Sequence, residues 1–128
     1  MPESIVAVIA ALLSAGLHTM FWYLESITFR REATWRRFGI RSQADADVIR
    51  PMAFNQGFYN LFLAVGVVVG VVLITTGSVE AGRAVVLFGC ACMVAAGVVL
   101  LLSDRSLARS ALIQLVPPLI AIIATLAL

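Results

Sequence analysis

The sequence predicts an all-α fold, an integral membrane bundle of four transmembrane helices, on three observations. Hydrophobic residues make up 62% of the 128-residue chain and mean hydropathy is +1.04, whereas soluble domains carry about 45–50% apolar residues. Only 12% of residues are charged, and they leave four apolar stretches, each close to the roughly 20 residues that cross hydrocarbon. The net charge of +2 comes from nine basic residues, all arginine. Their placement speaks to membrane topology rather than to nucleic acid.

The first span is expected from about Ile5 to Phe29, long enough to cross with tilt. Glu3 stands where a cleaved signal would be positive, and the apolar run continues through Met20, Phe21, Trp22 and Tyr23 without a small-residue cleavage site. Trp22, Tyr23 and Phe29 suit a headgroup boundary at its end. Residues 30–50 then hold Arg30, Arg31, Arg36, Arg37, Arg41 and Arg50 with Glu32, Asp45 and Asp47. Trp35, Phe38 and Ile40 interleave with these charges, which fits a short amphipathic helix on anionic lipid and a solvated connector equally well.

Pro51 suits the first turn of a second span over 52–76, because a missing N–H costs little there. Within it Gly66-Val67-Val68-Val69-Gly70 has the small-xxx-small spacing of closely packed helices, read here as packing inside the bundle. A turn at 77–82 leads to a third span over 83–102, and 103–109 leads to a fourth over 110–128. Pro117 and Pro118 interrupt the fourth, removing two donors and freeing carbonyls. Cys90 and Cys92, one residue apart in the third span, read as small packing residues. The whole chain is expected to be one transmembrane domain.

Orientation follows from the arginines: six between the first two spans, two (Arg105, Arg109) between the last two, and Arg83 alone in between. Positive loops stay inside, so both arginine-rich loops are expected in the cytoplasm and both termini outside, in a bacterial cytoplasmic (inner) membrane.

On this topology His18, Glu25, Asn55, Gln56, Tyr59, Asn60, Asp104 and Gln114 all fall toward the arginine side, and the other half is nearly featureless. His18 and Glu25 are seven residues apart, sharing a helix face about 10 Å apart along the axis. Asn55 with Tyr59, and Gln56 with Asn60, form i, i+4 pairs on adjoining faces of the second span. Such groups are costly in hydrocarbon, so the set is expected to face inward. Amides alone would read as interhelical glue at about 0.6 kcal/mol per bond. Beside an ionisable His and Glu the set reads instead as a ligand or proton site. Hydration of Glu25 or its pairing with Arg30 or Arg31, and a neutral His18 satisfied by one amide, are the plainer readings of those two residues. One histidine without a Cys/His cluster disfavours a metal site. No nucleophile motif, phosphate loop or dinucleotide fingerprint appears, and no cofactor is expected.

These residues resemble the bacterial membrane family filed as domain of unknown function 1304. The resemblance covers nearly the whole chain and rests on His18 followed by Glu25, on the string from Asn55 through Asn60 to Ala64, and on Gln114 with Pro117. The Asn-Gln-Gly-x-Tyr-Asn string carries most of its specificity. Leu61 stands where such sequences often have glycine, which removes one close-packing position. The resemblance implies a four-helix membrane protein and names no activity, so function has to come from the site.

Two active readings follow. In the first, His18 and Glu25 act as an acid and base pair on a lipophilic substrate, as an isomerase or cyclase would, with Asn55, Gln56, Tyr59, Asn60 and Gln114 binding it. In the second, protonation of His18 or Glu25 is coupled to binding or transport of a small molecule, with a homodimer supplying alternating access. The greasy surroundings of the cluster favour the first. A structural subunit whose amides specify helix pairing is the bland third. Membrane lipid and a lipophilic or small-molecule ligand are the expected partners, and nucleic acid is not.

Overall fold

The computed structural model describes residues 2–128, with side chains from Ser4 onward. Helix α1 runs Pro2–Trp22 and passes into a π-turn at Tyr23–Ile27. A short α2 (Glu32–Trp35) and a 3₁₀ turn (Arg36–Phe38) lead to α3 (Gln43–Thr75); α4 (Val79–Ser103) and α5 (Ala108–Leu126) complete the chain. No strand occurs among the described residues. Four helical segments are long and apolar enough to cross a membrane: Ser4–Ile27, Gln43–Thr75, Val79–Ser103 and Arg105–Leu126. The chain is a multi-pass membrane protein.

The helices close a ring in which α1 packs on α3 and α5, and α4 packs on the same two from the other side. Small residues make the close approach feasible. Ala11, Ala15, Ala64, Val67, Val86, Cys90, Met93 and Ala121 fill the middle of the bundle, each 3% exposed or less. On α3 the inward stripe runs Gly57, Asn60, Ala64, Val67, Gly70 and Val71, the 3-4 spacing of one helix face.

The Gly66–Gly70 pair divides. A β-carbon on Gly70 would meet Val86 and the carbonyl of Gly82 on α4, whereas one on Gly66 would meet nothing within 4 Å. Close contact between α3 and α4 therefore comes from Gly70 with Gly82, and Gly82 belongs to α4 rather than to the preceding turn. Both cysteines are free, Cys90 within the core and Cys92 partly covered.

Three expectations change around the arginine-rich segment and the prolines. Pro51 is not at a helix start: α3 begins at Gln43, where the side chain of Ser42 accepts from the N–H of Asp45 at 3.1 Å. That cap satisfies an end donor six residues before Pro51, and α3 tolerates the loss of one internal bond at Pro51. The 33 residues of α3 extend about 50 Å, so the stretch holding Asp45, Asp47 and Arg50 projects beyond a bilayer core.

Within the arginine-rich segment 30–50, α2 and the 3₁₀ turn direct their aromatics inward while the arginines stay exposed. Trp35 is 3% exposed and packs with Phe29 and Ala46, with Phe38, Ile40 and Ala53 around them, so these aromatics fold onto the base of α3. The Trp35 indole donates to Gln43 at 3.2 Å and fixes that fold-back. Pro117 and Pro118, finally, lie within a continuous α5. The carbonyls deprived of a helical donor are those four residues earlier, on Ile113 and Gln114.

Candidate functional site

The site forms where the π-turn meets α3. A π-turn widens the helix by one residue, and such turns recur at functional sites. Here it carries Glu25 and turns its side chain toward α3, where the Asn60 amide donates to Oε1 of Glu25 at 3.2 Å. The other carboxyl oxygen, Oε2, is enclosed and has no hydrogen-bond partner among the described residues.

Gly57 makes this contact feasible. A β-carbon there would collide with the Ser26 hydroxyl and come within 3.1 Å of Cβ of Glu25. In its absence Ser26 reaches across and donates to the carbonyl of Phe54 at 2.8 Å, clamping the π-turn to α3. Glycine is required here by the closeness of two backbones, since its conformation is ordinary helix.

Beside this junction lies a cavity of about 360 Å³, walled mostly by apolar groups from α1 and its π-turn, α4 and α5, among them Met20, Phe21, Leu24, Ala96, Leu100 and Ile113. Its polar residues are Glu25, Gln56, Asn60, Ser110, Gln114 and Arg37. Small-molecule sites have this character, an apolar chamber with a few convergent polar groups. Ile113 and Gln114, whose carbonyls lose their donors to the proline pair, both stand in its wall. Glu25 also lines two further cavities toward the arginine side, one with Arg30, Arg50 and Asn55 and one with Ile49, Met52 and Gln56.

The structure thus gathers Glu25, Gln56, Asn60 and Gln114 at one chamber and separates the other candidates from it. Asn55 and Tyr59 do not line it. Asn55 is exposed and borders the arginine cavity, and Tyr59 is 66% exposed on the outer surface of α3. The reason is helical geometry: residues advance by about 100°, so Asn55 lies on the far side of the helix from Gly57, and Tyr59 a quarter turn from Asn60. Of the four polar side chains expected to face inward on this stretch only Asn60 is buried; Gln56 is exposed and borders the chamber at its edge.

His18 is fully buried, yet it is absent from the walls of the chamber. One ring nitrogen, Nδ1, lies 2.9 Å from the carbonyl of Ser14, which can only accept, so Nδ1 carries the proton and donates. Nε2 is enclosed and unpartnered, with Phe21 edge-on to the ring at 5.3 Å. The plainer reading of His18, an amide satisfying the ring, is replaced by its own helix backbone. Glu25, in turn, makes no ion pair with Arg30 or Arg31.

Trp22 was legible only as a boundary aromatic, and its role is different. Its indole N–H is enclosed and unpartnered, and its ring packs edge-on against Phe58 of α3. His18 Nε2, Trp22 Nε1 and Glu25 Oε2 are three of four such enclosed, unpartnered side-chain atoms among the described residues, the fourth being Thr125 Oγ1. They recur on α1 and its π-turn at the spacing i, i+4, i+7. Unsatisfied buried polar atoms are uncommon and each carries a desolvation cost. Of these atoms only that of Glu25 belongs to a residue lining the chamber. No cluster of three or more His, Cys, Asp or Glu side chains suited to a metal ion forms among the described residues.

No curated protein and no solved structure matches this chain. A family model described as "Protein of unknown function (DUF1304)" matches residues 12–126, a stretch that contains the π-turn, the whole of α3, α4 and both prolines of α5. The chain belongs to the DUF1304 family.

Proposed function

We propose that this chain is an enzyme of the bacterial inner membrane that performs acid–base chemistry, of isomerase or cyclase type, on a lipophilic substrate seated in the chamber beside Glu25. In this reading the arginine-rich connections face the cytoplasm and both termini face outward, following the arginine asymmetry. The observation that carries it is the state of Glu25: one carboxyl oxygen is held by Asn60, the other is left without a protein partner, and the residue borders an apolar chamber.

Such a carboxyl can take a proton from one carbon of a bound substrate and return it to another. The product is then an isomer and Glu25 is regenerated without a co-reactant. Asn60 orients the carboxyl, while Gln56 and Gln114 offer amides to a polar end of the substrate or to charge that develops on it. His18 stands behind the wall, as a positioning residue.

The test is comparative profiling of lipophilic extracts from cells that express the wild type or Glu25→Gln. The reading requires one pair of isomers, equal in mass, whose ratio shifts with the wild type and not with the variant. Identical profiles from both, with both proteins present in the membrane, would remove it.

A further inference from the structure

We propose that the cavity between the end of α1 and the start of the membrane-spanning part of α3 is a binding site for the phosphate of an anionic lipid headgroup. Glu25, Ser26, Ile27, Phe29, Arg30, Arg50, Pro51, Phe54 and Asn55 line this space of about 440 Å³. Glu25 lines both this space and the chamber, but the phosphate site depends on the two arginines and not on the chemistry proposed for Glu25.

The charges are the first argument. Arg30 follows the end of the first span by three residues, and Arg50 immediately precedes Pro51. Antiparallel packing of α1 on α3 brings these two cations, twenty residues apart in sequence, to one cavity. Both are exposed, and a cavity bordered by two cations attracts an anion. The protein supplies none by ion pairing: among the described residues Arg36 pairs with Glu32 and Arg83 with Glu80, and neither Arg30 nor Arg50 has a carboxylate within that reach. Glu25 is the one carboxyl in the cavity wall, and its Oε1 is engaged by Asn60. Paired guanidinium groups present forked donors that match phosphate oxygens, and the exposed Asn55 amide adds a neutral one.

Depth and wall chemistry make the second argument. The cavity lies at the end of two apolar spans, on the face that also carries Arg31, Arg37 and Arg41, the level at which phospholipid headgroups sit. Ile27, Phe29 and Phe54 make one side of it apolar, and Ile27 and Phe54 are about half exposed, 53% and 48%. An acyl chain can lie along them while the phosphate sits between the arginines. A free phosphate ester would use the same cations without that apolar side.

The test compares full-length wild type, an Arg30→Gln/Arg50→Gln variant and an Arg105→Gln/Arg109→Gln variant, which removes the same charge from the other connection on that face. Each is reconstituted in phosphatidylcholine nanodiscs containing phosphatidylglycerol, stripped in neutral detergent, and weighed intact with its retained lipid. Retention of phosphatidylglycerol over phosphatidylcholine should fall roughly thirtyfold in the Arg30/Arg50 variant, given about 1 kcal/mol per arginine at an anionic surface, and hold in the other. A second arm titrates inorganic phosphate into each protein in pure phosphatidylcholine, followed by phosphorus NMR. Phosphate binding that depends on Arg30 and Arg50, with no preference for phosphatidylglycerol, assigns the same anion site to a soluble phosphate and overturns the lipid assignment. Equal losses in both variants, or none in either while all three retain the same helical circular dichroism, would overturn the site altogether.

Discussion

The Asn60 amide of α3 reaches Oε1 of Glu25 at 3.2 Å, tying the π-turn to a residue thirty-five positions later in the chain. This bond holds the one carboxyl that borders the apolar chamber. Coupling between the two should be measurable. In a double-mutant cycle of Glu25→Ala and Asn60→Ala, followed by unfolding in detergent, an interaction energy of about 0.6 to 1.7 kcal/mol is expected, the range found for interhelical bonds in membranes. Strictly additive losses would show that the pair is not formed.

Gly57 should be intolerant of even one carbon. Gly57→Ala drives a methyl group into Ser26 and the Cβ of Glu25, and overpacking of this kind costs about 1–3 kcal/mol. Ser26→Ala removes the nearest colliding atom, so the Gly57→Ala/Ser26→Ala protein should recover part of the loss despite forfeiting the bond to Phe54. A thermal melt of the two single variants and the pair checks this, and full additivity would contradict the clamp.

The glycines of α3 and α4 offer a contrast within one face. Gly82→Ala places a β-carbon 2.6 Å from the carbonyl oxygen of Gly70 and 2.7 Å from the backbone N of Ile74, atoms that cannot move aside without displacing a helix. A loss of about 2 kcal/mol or more is expected. Gly66→Ala meets open space, so it should be neutral or slightly stabilising through helix propensity. Equal effects at both positions, read from denaturant unfolding, would refute the assignment of close packing to Gly70 and Gly82.

These glycines show what the sequence could and could not reveal. Four spans were legible because apolar length and arginine placement are properties of the chain alone. Glu25, Gln56, Asn60 and Gln114 were legible as polar residues in apolar runs. Which of them share a chamber was not, because the π-turn at Tyr23–Ile27 changes the face on which Glu25 emerges, and nothing local in Tyr-Leu-Glu-Ser-Ile announces it. An ideal helix puts His18 and Glu25 on one face; the structure leaves His18 in the core and Glu25 at the chamber wall. The start of α3 was readable after all, from Ser42 three residues before Asp45, but Pro51 competed as a start signal. Burial of Trp35 depends on packing against Ala46, a tertiary contact invisible to spacing.

His18 should prove separable from Glu25. His18→Leu keeps apolar volume in a fully buried position and removes the enclosed, unpartnered Nε2, so stability should change by no more than about 1 kcal/mol in either direction. His18→Ala instead opens a cavity and should cost about 2–4 kcal/mol. Both are read from unfolding in detergent; a large loss in His18→Leu would mean that Nε2 makes a contact essential to the fold.

The most direct measurement of the central claim is site mapping with a lipophilic carbodiimide, which modifies carboxyl groups reached from apolar surroundings. Applied to the folded protein in membranes and read by peptide mass mapping, it should modify Glu25, lose that product in Glu25→Gln, and retain it in His18→Leu. Exposed carboxyls at Asp45, Asp47 and Glu80 should react far less. A folded wild-type protein in which Glu25 stays unmodified while those exposed positions react would contradict the account.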